Sequence, residues 1–291
     1  MLSILVPIYN YEAENLARIL LQQCENLKTE YEIIFADDCS TNNKLSKTNK
    51  DFFLTTSITF IEVEHNMGRS KIRNFLAKKA KGDFFLFLDC DSGIVREDFI
   101  YKYMQFAQKY DVVCGGTIYC GKNHISKENL LHWTCGKKRE EGKKHFTTNN
   151  FLIKKEVFEK IEFNEKIKGY GHEDTLFGEE LRKNGYKIGF IDNPVEHLGL
   201  KDTDKFILDT INASTNLALL YKQKMYQPFL ENVTLVKTYK KLKKLHCIEV
   251  FSFCFVLIRY FVNLNLHSNM PSTRCLDVLK LYTFIINTKN E

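Results

Sequence analysis

Phe84-Phe85-Leu86-Phe87-Leu88-Asp89-Cys90-Asp91 sets five large apolar side chains in a row and ends them in two carboxylates spaced i, i+2. An unbroken apolar run of this length predicts a strand covered on both faces. Side chains two apart in an extended segment point the same way. Asp89 and Asp91 are therefore expected to converge just beyond the end of a buried strand. Two like charges side by side repel unless a cation sits between them. The carboxyl ends of strands are also where open α/β sheets place their ligands. The other reading is a strand-end turn, because Asp91-Ser92-Gly93 favours turns. The stretch alone leaves metal site and turn open.

Upstream, residues 2–6 form an apolar run that Pro7 is expected to stop, followed by a loop, Ile8-Tyr9-Asn10-Tyr11. Glu12 and Glu14 suit the first turn of a helix, whose apolar face is Leu16, Ile19 and Leu20. Residues 32–36 read as a second strand ending in Asp37-Asp38-Cys39-Ser40. Residues 58–63 read as a third, ending in Glu64-His65-Asn66-Met67-Gly68. The helix after it has Ile72, Phe75, Leu76 and Ala80 on one face and Arg69 and Arg73 on another. Gly82-Asp83 then turns into the strand at Phe84. Strands alternating with helices predict a parallel sheet with right-handed crossovers. Each strand ends in polar residues, as expected of a ligand site along one sheet edge.

Downstream the pattern is less regular. A helix is expected over residues 97–110 and a strand over 112–119, which contains Gly115-Gly116. The lysine-rich stretch 136–144 reads as a solvated loop or as a flap over an anionic substrate. A strand over 149–153 follows. A helix is expected over 174–184, with Asp174 at its start, Arg182 and Lys183 in its last turn and Gly185 just past its end. Residues 187–191 read as a further strand, and 192–200 as a loop with Pro194 and His197. From about Asp202 the pattern turns helical. Lys237, Lys240, Lys241, Lys243 and Lys244 precede a nearly continuous apolar segment, 247–262. Glu249, Ser252, Arg259 and Asn263 interrupt that segment near one helical face. Two charges make it a poor spanning helix. A wide apolar face with a narrow polar stripe suits a helix lying in a membrane interface, buried against a partner such as a second copy, or packed on its own domain.

The 291 residues are 44% hydrophobic and 27% charged, ordinary for a chain that builds a core. The 9 cysteines form no Cys-x-x-Cys pair, which argues against a zinc ribbon and a secreted disulfide framework. A reducing, cytoplasmic setting is expected. The first residues have neither the basic start nor the long apolar run of a signal peptide. The net charge of +6 suits an anionic ligand or membrane surface and does not by itself imply a nucleic-acid partner.

Five segments carry a resemblance: Val6-Pro7-Ile8-Tyr9-Asn10, Asp37-Asp38-Cys39-Ser40, Asn66 through Asn74, Gly82-Asp83 through Asp91, and Gly169-Tyr170-Gly171-His172-Glu173-Asp174. Their order and spacing resemble the inverting family 2 glycosyltransferases over roughly the first two hundred residues. The resemblance implies an α/β fold of GT-A type, a Rossmann-like βα sandwich with a mostly parallel central sheet, over residues 1–205. Residues 206–291 are left as a C-terminal helical extension. It further implies a nucleotide-sugar donor, UDP being the usual nucleotide, and a saccharide or lipid-linked saccharide acceptor. Pro7, Tyr9, Asn10, Asp38, Asn66, Gly68, Arg73 and Asp89 would line the donor pocket, with Asp38 accepting from the base. Asp91 would ligate Mn2+ or Mg2+ on the diphosphate, Asp89 would touch the ribose or the metal through water, and His197 would supply a further ligand. Asp174, with Glu173 beside it, would be the base that takes the acceptor's proton.

Each role has a plainer counterpart. Asp38 suits a turn or cap, His197 a surface loop and Asp174 an N-cap; Arg69 and Arg73 suit contact with the donor's phosphates, a hold on the Asp89–Asp91 loop, or equally plain surface charges. A Gly-flanked aromatic at Tyr170 suits a sugar ring. A sugar-phosphate nucleotidyltransferase shares the architecture but needs a Gly-rich, basic loop after its first strand, where this chain has Pro7-Ile8-Tyr9-Asn10-Tyr11-Glu12. A non-catalytic membrane-surface protein that keeps a sugar-nucleotide fold would have no use for Asp89, Asp91 and Asp174. The basic, apolar tail fits a location on the inner face of the cytoplasmic membrane.

Overall fold

A computed structural model describes residues 1–25, 27–167 and 171–289. The elements run in the order β1 (Leu2–Ile8), α1 (Glu14–Glu25), β2 (Tyr31–Asp37), α2 (Asn43–Phe53), β3 (Thr59–Glu62), α3 (Arg69–Lys79), β4 (Phe84–Leu88), β5 (Ser92–Ile94), α4 (Phe99–Ala107), β6 (Val112–Cys114), β7 (Thr117–Ile118), α5 (Leu130–Arg139), β8 (Asn150–Lys154), α6 (Lys155–Phe158), α7 (Glu173–Lys183), β9 (Ile188–Phe190) and β10 (Val195–His197). The helices α8 (Thr203–Lys222), α9 (Gln227–Leu230), α10 (Thr234–Lys244), α11 (Ile248–Leu266) and α12 (Thr273–Lys289) follow.

The larger sheet has the order β3-β2-β1-β4-β8-β6-β9. Its ladders are parallel except for those that β8 makes with β4 and β6. Alternation along the strands divides the core. Leu2, Ile4, Val6 and Ile8 of β1, with Leu86 and Leu88 of β4, pack on α1 and α4. Leu5, Phe85 and Phe87 pack on the other face against α3, α6 and α7. Phenylalanine fills that second layer: Phe87 stacks on Phe151 at 5.0 Å and Phe163 on Phe177 at 4.2 Å. A smaller sheet, β5-β10-β7, lies beyond the carboxyl end of β4.

Three expectations change. Pro7 does not end β1, which continues to Ile8. The ladder to β4 stops at Leu5, so Pro7 sits where only the β2 side is paired and a missing N–H is tolerated. The strand expected over 112–119 breaks at Gly115-Gly116, where Gly116 has φ +89°, and its second part joins the smaller sheet. The stretch 136–144 is half helix, as α5 runs through Arg139.

The chain forms two compact units. One holds Met1–Tyr119, Glu140–Lys166 and Glu173–Gly199; the other includes Cys120–Arg139 and the chain from Leu200. The division expected between residues 205 and 206 is thus not a single cut. Leu131 and Cys135 of α5 pack with Val262, Leu266 and Leu276, so this excursion joins the C-terminal helices by its apolar face.

Candidate active site

β4 delivers Asp89 to the sheet edge, and α3 delivers its partner. Arg73 is 3% exposed, and its Nη2 donates to Asp89 Oδ1 at 2.6 Å. Its Nη1 donates to the Arg69 carbonyl at 3.2 Å, and its guanidinium lies over the Phe163 ring at 5.7 Å. Arg73 is therefore a buried half of an ion pair rather than a surface charge. Asn74, one residue on, fixes the neighbouring segment by accepting from the Phe163 amide and donating to its carbonyl.

Asp91 faces a different partner. The pairing of β5 with β10 sets His197 opposite Ser92. His197 Nδ1 then lies 3.7 Å from Asp91 Oδ2, and the Leu198 amide donates to the Asp91 carbonyl. The strand at His197 replaces the loop expected over 192–200. Gly199 permits this approach, since a Cβ there would lie 2.0 Å from Asp91 Oδ2. Burial raises the Asp91 carboxyl above its ordinary range; His197 lowers it, Asp89 raises it and Arg69 lowers it. Tyr11, not anticipated from sequence, lies in the same field: burial, then Asp91, Cys90 and Glu12, push its phenol up to about 12. Cys90 packs against the core between the two carboxylates. So the two carboxylates are separately engaged, Asp89 by Arg73 and Asp91 by His197.

Among the described residues no group of three or more His, Cys, Asp or Glu is placed to hold a metal. Asp91 and His197 offer one carboxylate and one imidazole, a donor set that Mn2+ accepts when phosphate and water complete the shell.

The residues expected at the nucleotide pocket tie two loops together. Asn10, at φ 51°, donates from its amide to Ser40 Oγ at 2.8 Å, and its Oδ1 accepts from the Asn42 amide at 2.9 Å. Asp38 accepts from the Met67 amide at 2.6 Å and the Gly68 amide at 2.9 Å, while Asn66 donates to the Asp38 carbonyl at 2.8 Å. Gly68, at φ +79°, precedes α3 and aims those amides at Asp38. Each Asp38 oxygen keeps a second lone pair for a base. Desolvation raises the Asp38 carboxyl and these two amides lower it. Asp37 is buried; its Oδ1 accepts from the Ser40 amide at 2.8 Å, and its Oδ2 has no hydrogen-bond partner among the described residues. Tyr9 is 47% exposed.

The other side of the site is the start of α7. Glu173 is 5% exposed, with Oε1 3.5 Å from Arg69 Nη1 and Oε2 without a hydrogen-bond partner among the described residues. Asp174 Oδ1 accepts from the Thr175 amide at 2.6 Å. Its carboxyl is raised by desolvation against the opposing effects of the Thr175 amide and hydroxyl, then Arg69 and Arg73. Burial thus outweighs the position of Asp174 in the first turn of α7, where a helix favours the ionised form. Gly169 and Tyr170 lie outside the described residues.

Residues 3–164 match the family described as Glycosyl transferase family 2. The chain belongs to that family. It is 37% identical over 98 residues to the poly(ribitol-phosphate) beta-N-acetylglucosaminyltransferase TarS of Staphylococcus aureus, covering 33% of this chain and 17% of TarS. It is 28% identical over 187 residues to the glycosyltransferase GlyG of Streptococcus pneumoniae, covering 56% of this chain and 60% of GlyG. An uncharacterized glycosyltransferase of Haemophilus influenzae is 36% identical over 97 residues, 33% of this chain and 31% of that protein. The chain thus spans less than two thirds of these relatives. Among solved structures, the mannosyltransferase PcManGT of Pyrobaculum calidifontis in complex with GDP-Man and Mn2+ superposes with TM-score 0.62 at 13% identity, over 99% of this chain and 86% of that one. The TarS 1-349 complex with UDP-GlcNAc gives 0.52 at 18% identity, over 98% and 90%. These likenesses establish the GT-A fold for this family 2 chain.

Proposed function

We propose that the protein transfers a sugar, with inversion, from a nucleotide sugar to a hydroxyl of a saccharide or lipid-linked saccharide. The observation that carries this reading is one turn of α3. Arg73 binds Asp89 on the donor side, and Arg69 reaches Glu173, the neighbour of Asp174, on the other. Asp89 and Glu173 are thereby tied to the same turn of α3.

In this reading the acceptor oxygen forms its bond to the anomeric carbon as the bond from that carbon to the phosphate oxygen breaks. The bonding electrons leave with the nucleoside diphosphate, and the acceptor proton passes to Asp174. Asp38 and Asn10 hold the loops around the base. Arg69, 46% exposed and paired with Glu173, would also meet donor phosphates. A divalent cation, Mn2+ or Mg2+, held by Asp91 and His197 would supply charge for the departing diphosphate. The TarS and PcManGT complexes make UDP- and GDP-sugars the first donors to screen.

A panel of nucleotide sugars with Mn2+, read by release of nucleoside diphosphate, tests the reading. Asp174→Asn is expected to keep nucleotide binding by calorimetry and to lose transfer by roughly a hundredfold or more. Transfer that survives removes Asp174 from the role of base. The nucleotidyltransferase alternative predicts diphosphate release from a nucleoside triphosphate and a sugar phosphate in the same assay.

A further inference from the structure

We propose that the outward face of α11, with the lysines of α10, docks on an anionic membrane surface, the helix lying in the interface rather than crossing it. This rests on surface chemistry alone and not on the proposed reaction.

α11 is apolar on two opposite faces. One face is satisfied within its own unit: Val262 and Leu266 pack with Leu131, Cys135 and Leu276, and Phe255 stacks on Tyr282 at 4.2 Å. The other is uncovered. Val250, Phe253, Leu257, Phe261 and Leu264 follow a helical repeat down one side and are 50–69% exposed. Leu245 before the helix and Met270 after it are also exposed, at 57% and 82%. A contiguous apolar stripe of this length marks a surface that is covered in use.

Three observations select the occupant. The helix has 19 residues, enough to span, but Glu249, Arg259, Asn263 and Asn265 lie along it and its inner face is already packed against protein. A helix so anchored presents one side only and lies flat. The lysines come next. Lys237, Lys240, Lys241, Lys243 and Lys244 are all exposed within eight residues and stand immediately before the apolar stripe. A second copy of the chain would meet this patch with the same positive charge, whereas anionic headgroups complement it. Finally, Tyr260 is 66% exposed beside the stripe, an aromatic with a polar tip suited to headgroup level.

The test is co-sedimentation of the full chain with phosphatidylcholine vesicles, with and without phosphatidylglycerol. Binding is expected only with phosphatidylglycerol and is expected to weaken as salt rises. Each Lys→Gln change at 241, 243 and 244 should reduce it about fivefold. The double variant Leu257→Asp, Phe261→Asp should abolish it while circular dichroism and nucleotide binding stay unchanged, since both side chains are exposed. Equal binding to neutral vesicles, or binding that survives the double variant, overturns the proposal. So does a protein that ignores both vesicles and sediments as a dimer that the double variant converts to monomer; that result assigns the face to a second copy.

Discussion

Gly199 and Arg73 matter because of what they leave in place at the neighbouring carboxylates. A Cβ at Gly199 would lie 2.0 Å from Asp91 Oδ2, so Gly199→Ala must push that carboxylate aside. Displacement on the order of 1 Å costs about a hundredfold in a positioned site. The expected outcome is a loss of that order in kcat/KM, with metal-dependent nucleotide affinity reduced in calorimetry and the unfolding transition little changed. Arg73→Ala strands Asp89 beside a buried guanidinium hole and should lower stability by about 3 kcal/mol, read as a shift in the urea midpoint. At Asp174 the sign of the pH effect follows from burial. Desolvation raises its carboxyl, so the ionised base forms only above the ordinary carboxylate range. The acid limb of kcat/KM is expected to lie above that range, activity falling as pH drops through the raised value. An acid limb at the ordinary position of an aspartate would show that another group titrates. Asp37, whose Oδ2 lacks a partner among the described residues, was not singled out by sequence. Adjacent strand-end residues differ in direction, and the ladders with β1 and β3 fix which way each points.

At the scale of elements, β8 is the tie. Asn150 is fully buried; it accepts from the Tyr103 hydroxyl at 2.6 Å and donates to the Gly116 and Asn193 carbonyls at 2.9 and 3.0 Å. It joins α4, the break between β6 and β7, and the turn before β10 that delivers His197. Asn150→Leu removes a donor from two carbonyls and should cost about 2–4 kcal/mol, with nucleotide affinity falling in parallel because the His197 strand loosens. In the helical unit, His267 Nδ1 lies 2.9 Å from the Asn263 carbonyl and Nε2 3.0 Å from Asp204 Oδ1. Only the imidazolium donates to both, and these contacts raise its pKa. The stabilisation is therefore present below the unfolded value of about 6.5 and lost as pH rises through the folded value. Asp204 is 90% exposed and His267 partly so, and the stabilisation amounts to less than about 1 kcal/mol. A stability profile that is flat across that window in wild type, and unchanged in Asp204→Asn, would contradict this pairing. The parallel strands were legible because their apolar runs are unbroken. The split at Gly115-Gly116 and the strand at His197 were not, since each depends on a partner far along the chain.

At the scale of the molecule, the GT-A sheet, the family and the amphipathic tail each answer to a different part of the chain. The family match covers residues 3–164, whereas α7, with Asp174, and β10, with His197, lie beyond it. The proposed base and one proposed metal ligand thus lie outside that match. The lysines of α10 contribute five positive charges toward the net +6, whereas the site gathers carboxylates. Salt is accordingly expected to act on vesicle binding far more than on turnover of a soluble acceptor, and parallel titrations of both activities check this.

The sequence by itself determined the apolar strands, their alternation with helices and the polar strand ends that mark one edge as the site, because hydrophobic periodicity and turn chemistry are local properties. Only the tertiary structure decided that Asp89 belongs to Arg73 and Asp91 to His197, that Asp38 is bound by amides from the next loop, that α5 joins the C-terminal helices, and which face of α11 is left uncovered. Those outcomes turn on ladder register and on which of two apolar faces finds a partner. They are set by residues tens of positions apart that no local pattern brings together.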